Sequence, residues 1–114
     1  MKVVNENDVA YRVGKSGPKY LLRGPKIDFG VVKLLPGEDF PTHYHEEVEE
    51  NFFILEGEID FLVDGKTSYH AKYGDLIHIL APETHYLKNN GAVPAKAVFV
   101  KAPFLPNDKI NVEK

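Results

Sequence analysis

The stretch that decides this fold is His43-Tyr44-His45-Glu46-Glu47-Val48-Glu49-Glu50. His43 and His45 are one residue apart, and strand side chains alternate between faces, so both project from the same side of a β-strand. Two imidazoles in this arrangement can share one ion. Glu50 comes five residues after His45, which leaves room for a turn into the next antiparallel strand. Its carboxylate would complete the site, and His85 offers a further nitrogen.

Four of the five residues from 46 to 50 are glutamates, a density typical of a solvated loop with mutual repulsion. Only Glu50 has the spacing of a ligand, and Glu49 is the alternative if the turn is one residue shorter. Period-two alternation then places Phe52 and Ile54 on the same face as Glu50, where they would line the barrel, with Phe53 pointing away.

Composition limits the kind of metal site and the partners. The chain has 114 residues, enough for one domain, and no cysteine, so a metal must be held by nitrogen and oxygen. A formal charge of −3 gives no attraction to nucleic acid or to an anionic membrane surface, and we expect neither partner. No apolar segment is long enough for a signal peptide or a membrane span, which predicts a cytoplasmic protein.

Turn residues recur along the chain and separate short alternating segments, which indicates an all-β domain. Asp64-Gly65 is the strongest two-residue hairpin signal, and Asn89-Asn90-Gly91 predicts a second hairpin turn. From Ile27 onward about eight strands are expected, the number of a jelly roll or small barrel. The predicted strands are Ile27–Leu35, Thr42–His45, Glu50–Leu55, Ile59–Val63, Lys66–Lys72, Leu76–Leu80, His85–Leu87 and Ala95–Lys101.

The spacing of the glycines and ligand candidates is similar to the two signatures of the cupin superfamily. Gly37, five residues, His43-x-His45, four residues, Glu50, six residues and Gly57 resemble the first signature. The segment that begins Gly74-Asp75-Leu76-Ile77-His78-Ile79 and continues to His85 and Asn89 resembles the second. The resemblance spans residues 37–89, and it favours Glu50 over Glu49 because the latter would leave Gly57 one residue out of place.

This resemblance implies a single-domain, double-stranded β-helix, the jelly-roll cupin barrel. It also implies one divalent transition metal ion per chain, held by His43, His45, Glu50 and His85. Manganese, iron, nickel or zinc would suit these ligands, while the absence of sulfur argues against copper(I). An octahedral ion with four protein ligands keeps two positions for water or a chelating substrate.

We expect three parts within the single domain. Residues 1–26 would form an N-terminal arm with short strands at Val9 to Val13 and Tyr20 to Leu22, paired with the sheet edge or with a partner chain. Residues 27–102 would form the cupin β-barrel. Residues 103–114 would be a C-terminal tail that wraps the outside or is disordered.

Two functions remain open at this point. The first is a metal-dependent enzyme acting on a small oxygen-rich or anionic metabolite, of the dioxygenase, decarboxylase, lyase or isomerase type. The alternative is a non-catalytic module that binds or senses a small molecule or a sugar. A proton-transfer enzyme needs a titratable group in the pocket besides the four ligands, whereas an apolar wall favours oxygen chemistry or mere binding. A metal-free structural cupin is disfavoured because all four ligand residues are present.

The sequence assigns no catalytic acid or base. Tyr44 and Tyr86 alternate with the histidine ligands and so point out of the barrel. Lys33 and Arg23 could meet a substrate anion, although a solvated cation is the commoner arrangement. His70 and His78 are expected to be packing or surface residues and not ligands.

A homodimer is expected. The resemblance to cupins, which are commonly dimeric, implies this state, and a jelly roll of this size leaves an apolar outer sheet. Phe53, Tyr69 and Tyr73 are the aromatic residues that would cover that sheet.

Overall fold

The computed structural model describes residues 1–112, in which a short 3-10 helix precedes ten β-strands. The helix spans Glu6–Asp8. The strands are β1 (Gly17–Arg23), β2 (Asp28–Leu34), β3 (Asp39–His45), β4 (Glu49–Glu56), β5 (Glu58–Val63), β6 (Thr67–Lys72), β7 (Leu76–Ile79), β8 (His85–Lys88), β9 (Ala95–Ala102) and β10 (Lys109–Asn111). No helix among the described residues is long and apolar enough to span a membrane.

The strands form two antiparallel five-stranded sheets that face each other. One sheet has the order β1-β2-β9-β4-β7 and the other has the order β10-β3-β8-β5-β6. From β2 to β10 the chain crosses to the opposite sheet after almost every strand, and only β5 and β6 are consecutive neighbours within a sheet. This winding is the double-stranded β-helix that the sequence predicted, in a single domain.

The two predicted hairpin turns have different outcomes. The first is confirmed as a hairpin between β5 and β6, in which Asp64 and Gly65 have φ values of 54° and 65°. Its connection comprises three residues, 64–66, rather than the predicted two, because Val63 pairs with Thr67. The predicted hairpin at Asn89 is wrong, because β8 and β9 belong to different sheets. The buried Asn89 amide instead donates to the carbonyl oxygens of Leu34 and Val93, both at 2.9 Å, and so fixes a crossing between the sheets.

The core lies between the sheets and follows the period-two alternation of the strands. On β4, Phe52 and Ile54 are 4% and 0% exposed while Phe53 is 40% exposed, which confirms the predicted facing. Ile59 and Phe61 on β5 bury their side chains against the same core. The apolar core of the barrel therefore comes from both sheets, and polar side chains that point inward are surrounded by apolar ones.

Gly57 makes the sharp crossing from β4 to β5 possible. Its φ is +65°, and a Cβ atom at this position would lie 2.5 Å from the carbonyl oxygen of Pro94. A side chain would therefore be strained by the backbone angle and would collide with backbone atoms. Only glycine fits both requirements.

The predicted arm and the described part of the predicted tail each contribute one strand to a sheet. The predicted strand at Tyr20 to Leu22 lies inside β1, whereas Val9 to Val13 forms only an isolated bridge between Tyr11 and Gly14. In the tail, β10 pairs with β3 and is a strand that the sequence pattern did not predict. The last two residues of the tail, 113 and 114, lie outside the described residues, and the division into arm, barrel and tail stays a prediction.

Candidate metal centre

Four donor side chains meet inside the barrel at one end of the core. His43 and His45 lie on β3, Glu50 lies on β4 and His85 begins β8. Their ligand atoms all lie within 4.8 Å of one another, and all four residues are buried, with His85 fully inaccessible. The structure thus brings together the four residues that the sequence singled out.

The two sheets contribute to the site from opposite sides. His43 is the register partner of His85 in the β3–β8 pair, and their ring centroids are 4.1 Å apart. The expectation that Glu50 re-enters on a strand next to β3 is wrong, because β4 belongs to the facing sheet. The chain crosses between the sheets in the turn from 46 to 48, so the carboxylate meets the imidazoles across the barrel interior.

One carboxylate oxygen is the common neighbour of all three imidazoles. Glu50 Oε1 lies 3.2 Å from His85 Nε2, 3.3 Å from His45 Nε2 and 3.9 Å from His43 Nε2. Burial alone would raise the pKa of the Glu50 carboxyl group, but interactions with the three histidines outweigh it and hold this pKa well below the usual range. Glu50 is therefore an anion inside the barrel.

The outer ring nitrogens hold two of the imidazoles in place. His43 Nδ1 donates to the carbonyl oxygen of Pro41 at 3.0 Å, and His85 Nδ1 donates to that of Glu83 at 3.3 Å. These bonds fix the protonated nitrogen and the ring orientation, as is usual for histidines that bind metals. In both residues Nε2 is directed at the centre of the site.

The donor set fits a divalent metal ion. If His43 and His85 are neutral, their Nδ1 protons point outward and their Nε2 lone pairs face the anionic Glu50 oxygen, which is unfavourable without positive charge between them. Imidazolium protons or one divalent ion can supply that charge. Three imidazole nitrogens and one carboxylate oxygen are the ligands that first-row divalent ions prefer, and a single ion would satisfy all four donors at once.

A cavity of about 200 Å³ opens above the site and contains His43, His45 and Glu50 in its wall. Part of the wall is apolar and is formed by Val32, Phe40, Phe52, Leu87 and Phe99. The remainder includes titratable side chains from three separate parts of the chain. These side chains are Arg12, Tyr20, Arg23, Lys101 and Lys109.

Lys101 and Tyr20 form a hydrogen-bonded pair in the cavity wall. Lys101 Nζ donates to the Tyr20 hydroxyl oxygen at 2.6 Å, and the guanidinium of Arg23 lies 4.4 Å above the Tyr20 ring. The sequence reasoning missed this pair, although one signal was available. Lys101 continues the alternation of Ala95, Ala97 and Phe99, all buried on the inner face of β9, so its side chain enters the barrel.

Lys109 stands at the mouth of the cavity on the strand that flanks the ligands. Partial desolvation, together with repulsion from Arg12 and Lys101, lowers the pKa of Lys109, while the nearby Glu50 carboxylate opposes this change. Arg12, Lys101 and Lys109 are therefore close enough for their positive charges to repel one another. This contact could not be predicted from sequence, because the three residues come from the arm, β9 and the tail.

The other candidates lie elsewhere. Glu49, the alternative ligand, pairs at the surface with His78, and His70 is an exposed neighbour of Glu58 and Asp60. Both histidines therefore lie outside the four-residue cluster, as expected. Of the cations weighed from sequence, Arg23 lines the cavity. Lys33, Tyr44 and Tyr86 are absent from the part of the cavity wall formed by residues 1–112.

The aromatic side chains expected to cover an outer sheet are at the surface. Phe53, Tyr69 and Tyr73 are 40%, 48% and 74% exposed, respectively. Exposed apolar side chains of this size are compatible with a contact between copies of the chain. The homodimer itself stays a prediction.

Comparison with known proteins gives matches over most of the chain. A model of the cupin domain matches residues 30–101. The tetracenomycin polyketide synthase protein TcmJ of Streptomyces glaucescens is 27% identical over 81 residues, which cover 71% of this chain and 54% of that protein. The polyketide synthase CurC of Streptomyces cyaneus is 32% identical over 82 residues, covering 71% of this chain and 52% of that protein. The chain thus spans about half the length of these curated relatives.

The fold has a close structural counterpart. An uncharacterised conserved protein with a double-stranded beta-helix domain from Klebsiella pneumoniae superposes with a TM-score of 0.84 at 21% identity. The superposition covers 100% of this chain and 99% of that chain. At this level of identity the likeness concerns the fold alone.

Proposed function

Because the chain belongs to the cupin domain family, we propose that it is a metal-dependent enzyme acting on a small, oxygen-rich, anionic metabolite. One divalent transition metal ion, of manganese, iron, nickel or zinc, would be held by His43, His45, Glu50 and His85. The observation that carries this proposal is the hydrogen-bonded pair of Tyr20 and Lys101 in the wall of the same cavity.

The pair of titratable side chains beside the candidate ligands favours the enzyme over the binding module, the two functions left open by the sequence. A binding or sensing module needs shape and charge but no group that moves protons, whereas proton-transfer catalysis needs a positioned acid or base. The names of the two Streptomyces relatives refer to polyketide synthesis, which supports chemistry on an oxygen-rich small molecule. Both observations favour the enzyme.

The bound ion would act as a Lewis acid that polarises a carbonyl or carboxylate oxygen of the substrate. Residues of the chain would transfer the proton and exclude water. The Lys101 ammonium donates to Tyr20 Oη and so holds this hydroxyl group in the cavity wall, where it can exchange a proton with the substrate. The apolar side of the cavity, including Phe52 and Phe99, excludes water from the reacting group.

The polar side chains in the cavity wall also favour some reaction types over others. An entirely apolar wall would favour oxygen activation, but here Tyr20 and Lys101 face the cavity together with three further cations. Proton transfer next to a polarised carbonyl underlies lyase, isomerase and decarboxylase reactions. We therefore place the activity in this group rather than among the dioxygenases.

Two measurements test the proposal together, namely the metal content of the protein and the exchange of carbon-bound hydrogen in candidate substrates for deuterium. Elemental analysis of untagged protein should find about one equivalent of a divalent metal in wild type and little in His85→Ala, because the variant lacks one of the four ligands. The loaded protein is then incubated in D₂O with a panel of small keto and hydroxy acids, and deuterium at carbon is read by NMR. We expect exchange into at least one acid, lost in Tyr20→Phe, with the metal content unchanged.

Three results would contradict the proposal. Absence of metal in wild type, with none taken up on addition, would remove the metal-dependent activity. Binding of the acids without any exchange would favour the binding module. Exchange at the same rate in wild type and Tyr20→Phe would assign the proton transfer to another group.

A further inference from the structure

Two lysines flank the candidate metal centre, one from each sheet. Lys101 is the register partner of Glu50 in the β4–β9 pair, and Lys109 is the register partner of His45 in the β3–β10 pair. Residues directly opposite each other in antiparallel strands share one face of the sheet, with Cβ atoms about 4.5–5.5 Å apart. Each lysine therefore stands beside a ligand residue, and both line the cavity.

The charge of these lysines is not balanced within the cavity. Lys19 and Lys96 share the Glu6 carboxylate on the outside of the barrel. By contrast, neither Lys101 nor Lys109 has a carboxylate within ion-pair distance in the part of the chain that the structure describes.

Arg12 adds a further positive charge to the same wall, which increases the excess of positive over negative charge in the cavity. Among residues 1–112, Glu50 is the only carboxylate in the cavity wall, and its inner oxygen already faces three imidazoles. Clustered cations of this kind repel one another, and an anion from outside the chain would remove the repulsion.

We infer that the substrate carries two acid groups, one that reaches the metal centre and a second that is held at the cavity mouth by Lys101, Lys109 and Arg12. This inference rests on the proposed function for the first group. The second group accepts hydrogen bonds from the two ammonium groups and from the planar guanidinium of Arg12, which matches a carboxylate or phosphate in a bidentate way. A cavity of about 200 Å³ restricts the molecule to a few carbon atoms.

Matched pairs of acids test this inference without relying on turnover. Lactate and malate share a chelating hydroxy acid, but malate has a second carboxylate. Glycerate and 3-phosphoglycerate differ in the same way by a phosphate. Each acid is titrated calorimetrically into the full chain, with and without added Mn²⁺, and the metal content of every sample is measured. Comparison of the two pairs distinguishes a carboxylate from a phosphate at the mouth.

We expect the diacid of at least one pair to bind about tenfold or more tightly than its monoacid, roughly the worth of one charged hydrogen bond. Lys109→Gln should abolish most of this difference while leaving the metal content unchanged. Lys101→Gln should do the same, and Lys101→Arg, which keeps the charge, should retain much of it. Lys66→Gln in the exposed turn between β5 and β6 is the matched control and should behave as wild type.

The outcomes separate this inference from the proposed function. If metal binds but each diacid equals its monoacid, or if Lys109→Gln changes nothing, the second acid group is excluded and the metal centre stands. If no metal binds and malate still exceeds lactate in a manner that depends on Lys109, the anion site stands and the metal-dependent function falls. Should Lys101→Gln fail to fold, Lys109→Gln at the accessible mouth decides the matter.

Discussion

The carboxylate of Asp108 accepts a hydrogen bond at 2.9 Å from the backbone N–H of Val48, which lies 60 positions earlier in the chain. A second bond, at 3.0 Å, comes from the N–H of Glu47. These bonds tie the tail to the turn between β3 and β4, and that turn separates His45 from Glu50. The tail therefore supports the geometry of the candidate metal centre without supplying a ligand.

Asp108→Ala should weaken metal binding and stability together. The partly buried N–H of Val48 and the exposed N–H of Glu47 would lose their acceptor. The loss at Val48 costs about 1–3 kcal/mol, and the turn that sets the distance from His45 to Glu50 would loosen. The measurements are urea unfolding and competition for metal with a chelator. Asp8→Ala, in the exposed 3-10 helix, is the control. An Asp108→Ala protein with unchanged metal affinity would show that β10 pairing alone holds the turn.

Glu50→Gln should lose metal binding, while the adjacent Glu49→Gln should not. Glu50 Oε1 faces all three imidazoles, whereas Glu49 pairs with His78 at the surface. Loss of a residue that only hydrogen-bonds to a metal ligand costs roughly 10- to 100-fold in metal affinity. Loss of the central carboxylate should cost more. Elemental analysis of both variants gives the answer. Equal loss of metal in the two proteins would mean that charge near the turn, and not ligation, controls the binding.

Gly57→Ala should be more destabilising than Gly65→Ala, although both glycines have a φ of +65°. Both variants carry the backbone strain of a left-handed residue, roughly 1–2 kcal/mol. Only at Gly57 does the new Cβ meet the backbone oxygen of Pro94, whereas the space around Gly65 is open. Thermal unfolding of the two variants compares them directly, and equal melting temperatures would contradict the close approach of β4 and the segment before β9.

His70 should titrate above its ordinary value. Hydrogen bonds to Asp60 and then to Glu58 raise the pKa of His70, and NMR titration of the ring can measure it. Because this pKa is raised by folding, the stability that it contributes is fully present below about 6.5, the unfolded value. It is lost as the pH rises through the folded value. Replacing Asp60 by Asn should lower the pKa of His70, and an unchanged value would show that Asp60 is not its main partner.

The meeting of the four residues of the candidate metal centre could be predicted from sequence, because the information that brings them together is local. His43 and His45 share a face through strand alternation, and the spacing to Glu50, Gly57 and His85 matched a known signature. The same local rules predicted the facing of Phe52 and the hairpin at Asp64-Gly65. They did not show that neighbouring strands alternate between two sheets, because a crossing and a hairpin use the same turn residues.

Lys101 could be placed inside the barrel from the alternation along β9, but its meeting with Arg12 and Lys109 could not be predicted in the same way. Arg12, Lys101 and Lys109 are far apart in sequence, and only the pairing of β9 with β4 and of β10 with β3 brings two of them beside ligand residues. Lys109 lies on a three-residue strand, which is too short for its alternation to show from sequence which side chains face the cavity. Tyr20 likewise becomes recognisable only through the bond from Lys101.

The pairing of β10 with β3 also sets an order of events during protein synthesis. A ribosome makes His43 and His45 long before it makes Lys109 and Asn111, their register partners in that pair. The strand that carries two of the four residues of the candidate metal centre is therefore left with an open edge until the nascent chain has emerged past Asn111. Before β10 pairs with β3, the cavity lacks Lys109, so its complete wall forms only after this segment has been made.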